Sequence, residues 1–180
     1  MDIVTTLYNV SNEKIFFILL AFTLVFSIGK KVVKSKKYYN SVIFGLIFAF
    51  VIFILYVTLF SRLNTESAGD YCLIPFYSYY QAANGLTIMI RESILNILFF
   101  YPLGYLFASL NFEKLDLKQW LIIPFSCILS FVVELSQYIF KLGYAEVDDV
   151  IHNTLGCAIG VGVCVLLEKG IEFISKSNQK

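Results

Sequence analysis

Four stretches of this chain are apolar over the length of a bilayer's hydrocarbon core: residues 41–60, 93–110, 119–140 and 150–167. A spanning helix needs about 20 mostly apolar residues, within a range of about 17–25. A fifth run, 15–28, is short for a span, but its Phe, Leu and Ile content followed by Gly29 and Lys30 favours a short span over an interfacial segment. Asp2 and Glu13 precede it and no small-residue cleavage site follows, so it does not read as a secretory signal. So much apolar sequence in 180 residues leaves too few charges for a soluble coat. Hydrophobic residues make up 58% and charged residues 15%, against roughly 45–50% and about 25% in soluble domains. The expected fold is all-α: a polytopic membrane helix bundle of about five transmembrane helices in the cell membrane.

Lysine and arginine orient such a bundle, because cytoplasmic loops retain the excess of positive charge. Lys30, Lys31, Lys34, Lys36, Lys37, Lys114, Lys118, Lys169, Lys176 and Lys180 fall on one side, and Lys14, Arg62, Arg91 and Lys141 on the other. The N-terminus is therefore expected outside and the C-terminus inside. Three regions follow: 1–40 with the short span and the lysine-rich loop, 41–167 as the main transmembrane domain, and 168–180 as a cytoplasmic tail. The long outer connection, 61–92, is rich in aromatics between Tyr71 and Tyr80. It reads first as an interfacial cover and second as a lid for a ligand in the outer leaflet.

The net charge is +1 and the basic residues sit at the ends of apolar runs, which excludes a nucleic-acid face. Cys127, Cys157 and Cys164 lie inside apolar runs, Cys72 lies in a loop, and none has metal-ligand spacing. No cofactor motif is present.

Polar residues inside spans are costly, so their positions are informative. Arg91 and Glu92 stand at the outer mouth of the third span, with Asn96 one turn inside. Glu134, Gln137 and Lys141 share a face near the outer end of the fourth. Asp148 and Asp149 precede the fifth, with His152 and Asn153 in its first turn. The inner halves of these spans are expected to be nearly bare of polar groups. Glu134 should lie roughly 10 Å below the outer boundary at about 1.5 Å per residue, with Arg91 and Lys141 as the available cations. Asp149, Asn153, Gly156 and Gly160 fall on one helix face, and Gly156-x-x-x-Gly160 admits another backbone closely. Pro102 is expected to break the third span near its middle.

Arg91, Asn96, Phe100, Pro102 and Gly104 resemble the R-x-x-x-x-N-x-x-x-F-x-P-x-G segment of VanZ-like membrane proteins. Glu134, Gln137, Asp148, Asp149, Asn153, Gly156 and Gly160 resemble that family's second signature, in order, and Leu73, Pro75 and Phe76 are similar to its L-x-P-F element. The likeness covers about residues 41–167. Relatives often carry an Arg shortly before the acidic run, where this chain has Gly143 and Tyr144, and an Asn where it has Cys72. The resemblance implies a cell-envelope protein of a family linked to teicoplanin and lipoglycopeptide resistance in Gram-positive bacteria.

The first functional expectation is an outer-leaflet site where Arg91, Asn96, Gln137, Asp148, Asp149 and Asn153 bind an amphiphile: a membrane lipid, a lipid-linked wall precursor or a lipoglycopeptide. Glu134 is the candidate general base if chemistry occurs there. The alternative is a non-catalytic scaffold whose polar ring locks the bundle. A small transporter needs ionisable groups along a path, and a metalloenzyme on Glu134, Asp148, Asp149 and His152 would suit Mg²⁺ or Ca²⁺; both rank below these, and no metal site is assigned.

Overall fold

The computed structural model describes residues 12–63, 69–86, 88–111 and 118–177. Lys114 and Lys180, used above for orientation, lie outside the described residues. Six α-helices are described: α1 (Asn12–Val32), α2 (Lys36–Thr58), the short α3 (Tyr77–Ala83), α4 (Ile88–Ser109), α5 (Ile122–Phe140) and α6 (Val147–Ser177). Single 3-10 turns at Phe60–Arg62 and Lys118–Leu121 extend α2 and introduce α5. A two-residue parallel ladder joins β1 (Tyr71–Cys72) to β2 (Ala145–Glu146). Short as it is, this ladder modifies the all-α expectation, and it belongs to the site described below.

Among the described residues, three helical stretches are long and apolar enough to cross a membrane: Lys36–Arg62, Gln119–Phe140 and Val147–Ser177. The 15–28 run folds within the longer α1, whose 21 residues extend about 31 Å at 1.5 Å per residue. α6 is also longer than its apolar run and continues to Ser177, so much of the expected tail is helix. Large apolar side chains such as Phe17, Phe48, Ile52, Ile128 and Phe131 stand exposed along α1, α2 and α5. An apolar surface of this extent is unstable in water and suits lipid.

α4 packs against every other helix described. Its closest partner is α6. A Cβ on Gly156 would collide with the Ile97 carbonyl oxygen, one on Gly160 with that of Tyr101, and one on Gly104 with that of Cys157. The two helices therefore touch backbone to backbone through three glycines, as the small-residue spacing on α6 predicts. Tight contact also holds α4 continuous through Pro102. The expected break does not occur, since the freed carbonyl of one turn is tolerated within a packed bundle.

The halves of these helices expected to be bare of polar groups are not bare. Thr23 and Tyr101 share a hydroxyl hydrogen bond at 2.8 Å and Ser27 and Tyr105 another at 2.6 Å, while the Tyr105 hydroxyl donates to the Thr23 carbonyl at 3.1 Å. Tyr39 donates to Ser109 at 3.2 Å. Tyr101, Tyr105 and Ser109 recur every four residues, one face of α4. Lys30 of α1 pairs with Glu168 of α6 at the same end. These pairings run α1, α4 and α6 in one direction and α2 in the other; α5 runs opposite to α6, with Ile122 beside Cys157 and Ser130 beside Asn153.

Candidate functional site

The end of the bundle opposite the Lys30–Glu168 pair gathers most of the polar residues singled out from sequence. Asn96 donates through Nδ2 to Asp149 Oδ1 at 2.7 Å, bridging α4 and α6. One turn along α6, Asn153 Nδ2 donates to Ser130 Oγ of α5 at 2.8 Å. Gln137, 3% exposed, donates through Nε2 to the Thr58 carbonyl at 3.1 Å and so satisfies an end carbonyl of α2. Four helices are tied together by three amide side chains.

Glu134 is 7% exposed. Its Oε2 accepts the backbone N–H of Glu146 at 3.0 Å. This bond is possible because the chain reverses sharply after α5. Lys141 adopts the left-handed conformation, φ 54°, and its stem packs where a side chain on Gly69 would sit. The Leu142 N–H caps the Gln137 carbonyl at 2.9 Å. The following strand β2 then folds back beside Glu134 and pairs Cys72 with Glu146. Lys141 itself is exposed.

Asp148, 2% exposed, serves the outer connection. Its carboxylate accepts the Phe76 and Ser78 backbone N–H groups and the Ser78 hydroxyl, the latter two at 2.8 and 2.6 Å. It therefore anchors the start of α3, where Phe76 turns through φ 62°. Tyr79 of the same helix hydrogen-bonds His152 Nε2 at 2.9 Å. The aromatic connection is thus a cover pinned to the first turns of α6. No cluster of three or more metal-ligating side chains occurs among the described residues.

Sequence reasoning missed the part played by Arg62, counted there only as an outer-side charge. Its guanidinium lies over Gly143, close enough that a Cβ there would come within 2.6 Å of Nη1. It is within electrostatic reach of both Glu134 and Asp149. Arg62 follows α2 directly, beside the Thr58 that Gln137 holds, and only the folded chain brings these together. Arg91 is partly buried on the first turn of α4 and Glu92 beside it is exposed. Glu134, Glu146 and Glu92 all lie within electrostatic reach of Asp149, so carboxylates outnumber Arg62 in this group. Burial pushes the Glu146 carboxyl above its ordinary value, and the charges of Glu92 and Asp148 push the same way.

A cleft of about 280 Å³ opens beside Glu134 and Glu146, between α5, the β1–β2 ladder and the start of α6. Its walls are Tyr71, Leu73, Phe131, Leu135, Tyr138 and Val150. Most of these are exposed on the outer surface of the bundle, so the cleft faces sideways, where lipid would lie. Apolar walls with a few convergent polar groups are the usual make-up of a ligand site.

The VanZ/LLP1 family model matches residues 42–168. Protein VanZ of Enterococcus faecium is 28% identical over 130 residues, covering 69% of this chain and 74% of that protein. No solved structure matches.

Proposed function

Since this chain belongs to the VanZ/LLP1 family, we propose that it is a multi-pass protein of the cell membrane with an outer-leaflet site for a cell-envelope lipid or lipid-tailed glycopeptide. Binding at, or action on, that ligand lowers susceptibility to teicoplanin-type drugs. In this reading five helices cross the bilayer, with the N-terminus outside and the C-terminus inside. α1 and α4 join the three most apolar stretches, α4 in the middle where helices rather than lipid surround it.

The observation that carries the reading is the position of Glu134: a nearly buried carboxylate at the edge of a sideways-facing, apolar-walled cleft. Only the Glu146 N–H donates to it among the described residues, which leaves acceptor capacity for a ligand. Asp149, Asn96, Asn153 and Gln137 stand behind the cleft and tie its helices together, Arg91 on the first turn of α4 is not among the residues that line it, and Asp148 keeps the cover in place. If chemistry occurs, Glu134 is the general base. The test is drug susceptibility of a sensitive Gram-positive host producing wild type or Glu134→Gln at matched membrane levels. The reading expects protection by wild type alone.

A second reading, a non-catalytic scaffold, is favoured by the same hydrogen bonds: Asn96–Asp149, Asn153–Ser130 and Gln137–Thr58 all join helices. In that reading, substitutions lose function only in proportion to the stability they cost.

A further inference from the structure

We propose that the lateral cleft takes a membrane lipid whose head carries a primary ammonium group, with Glu134 and Glu146 receiving the ammonium and the lipid chain lying along α5. This rests on the amphiphile-site reading and specifies its ligand. Charge complementarity carries it. The two ionisable acids lining the cleft are Glu134 and Glu146, and no Lys, Arg or His lines it. The Arg62 charge nearest to Glu134 is not among the lining residues. An anionic head would therefore meet two carboxylates and find no cation, whereas an ammonium supplies three donors to acceptors already in place.

Geometry agrees with charge. Glu134 lies at the cleft with one oxygen, Oε2, held by the Glu146 N–H. The rim carries an edge-to-face aromatic pair, Tyr71 and Tyr138, with ring centroids 5.3 Å apart at 90°. Aromatic rings attract cations at their faces, so this pair suits the approach of a charged head. Below the rim, Leu135 and Phe131 are exposed about one and two turns along α5 from Tyr138, and continue the same stripe for an acyl chain.

The test is photo-crosslinking in phosphatidylglycerol vesicles containing the purified full chain. A trace of photoreactive phosphatidylethanolamine is compared with the matching phosphatidylglycerol probe, and labelled peptides are mapped by mass spectrometry. The ammonium probe should label the 131–138 and 145–150 peptides about tenfold more than the anionic probe, the scale of a charge-assisted hydrogen bond. Glu134→Gln should collapse that preference. Glu146→Gln keeps the backbone N–H that holds Glu134, so it tests the charge if Glu134→Gln folds poorly, and it should reduce the preference partially.

Equal labelling by both probes, or a preference unchanged in both variants, overturns the ammonium assignment. If labelling stays in the cleft and Glu134→Gln still abolishes protection, the amphiphile site survives that result. Labelling that misses the cleft altogether removes both. Head-group-independent labelling displaced by added teicoplanin assigns the cleft to the drug and overturns the lipid assignment.

Discussion

The Asn96 side-chain amide donates to the Asp149 carboxylate at 2.7 Å, across a helix interface so close that glycine backbones touch immediately below it. The amide on α4 and the acid on α6 are 53 residues apart in sequence. Asn96→Ala removes the donor and leaves a partly buried carboxylate short of a partner, at a cost of about 1–3 kcal/mol. Thermal unfolding in detergent should show the loss. In a double-mutant cycle with Asp149→Ala, which removes the acceptor, the two effects should be clearly non-additive.

The glycine contact sets a second expectation. Gly156→Leu must push α6 away from the Ile97 carbonyl, and overpacking of this kind costs about 1–3 kcal/mol. A Cβ on Gly162, on the same helix, meets nothing within 4 Å. Gly162→Ala should therefore unfold at the wild-type temperature while Gly156→Leu unfolds well below it.

Asp148 is the pin of the outer connection. Removing its carboxylate takes away three hydrogen bonds at once, and the cover should loosen before the bundle does. Cys72, buried within that connection where β1 pairs with β2, reports on it. Maleimide labelling of Cys72 should be slow in wild type and much faster in Asp148→Ala, with the helix content unchanged.

Glu146 supplies a pH dependence whose sign is fixed by its surroundings. Burial, then Glu92 and Asp148, raise its folded value above the ordinary 4.5. The folded state therefore binds this proton more tightly than the unfolded chain. The group favours folding most at acid pH, and its contribution falls as pH rises from 4.5 through the raised value. Stability measured from about pH 4 to about pH 8 should decline more in wild type than in Glu146→Gln.

Much of the site was legible in the sequence because polar residues inside spans have few allowed positions. The i, i+4 and i, i+3 spacing of Asp149, Asn153, Gly156 and Gly160 located the α6 face that meets α4, and Glu134 stood out as an acid well inside an apolar run. The uses of Asp148 and Arg62 were not legible, since both depend on chain reversals with no periodicity. The β1–β2 ladder pairs residues more than seventy positions apart, and two-residue strands leave no alternating pattern. The tyrosine hydroxyls of α4 were hidden for another reason: Tyr101 and Tyr105 count as apolar in a span, yet each carries a polar tip that finds a partner when buried.

A working site and a mere gap between helices respond differently when the cleft beside Glu134 is filled. The most direct test fills the cleft without touching a carboxylate. Val150→Phe does so from α6, and Val132→Phe, outside the cleft on α5, is the control. Teicoplanin susceptibility is then measured in a sensitive Gram-positive host at equal membrane levels. The account predicts protection by wild type and Val132→Phe and its loss in Val150→Phe; equal protection by all three would contradict it.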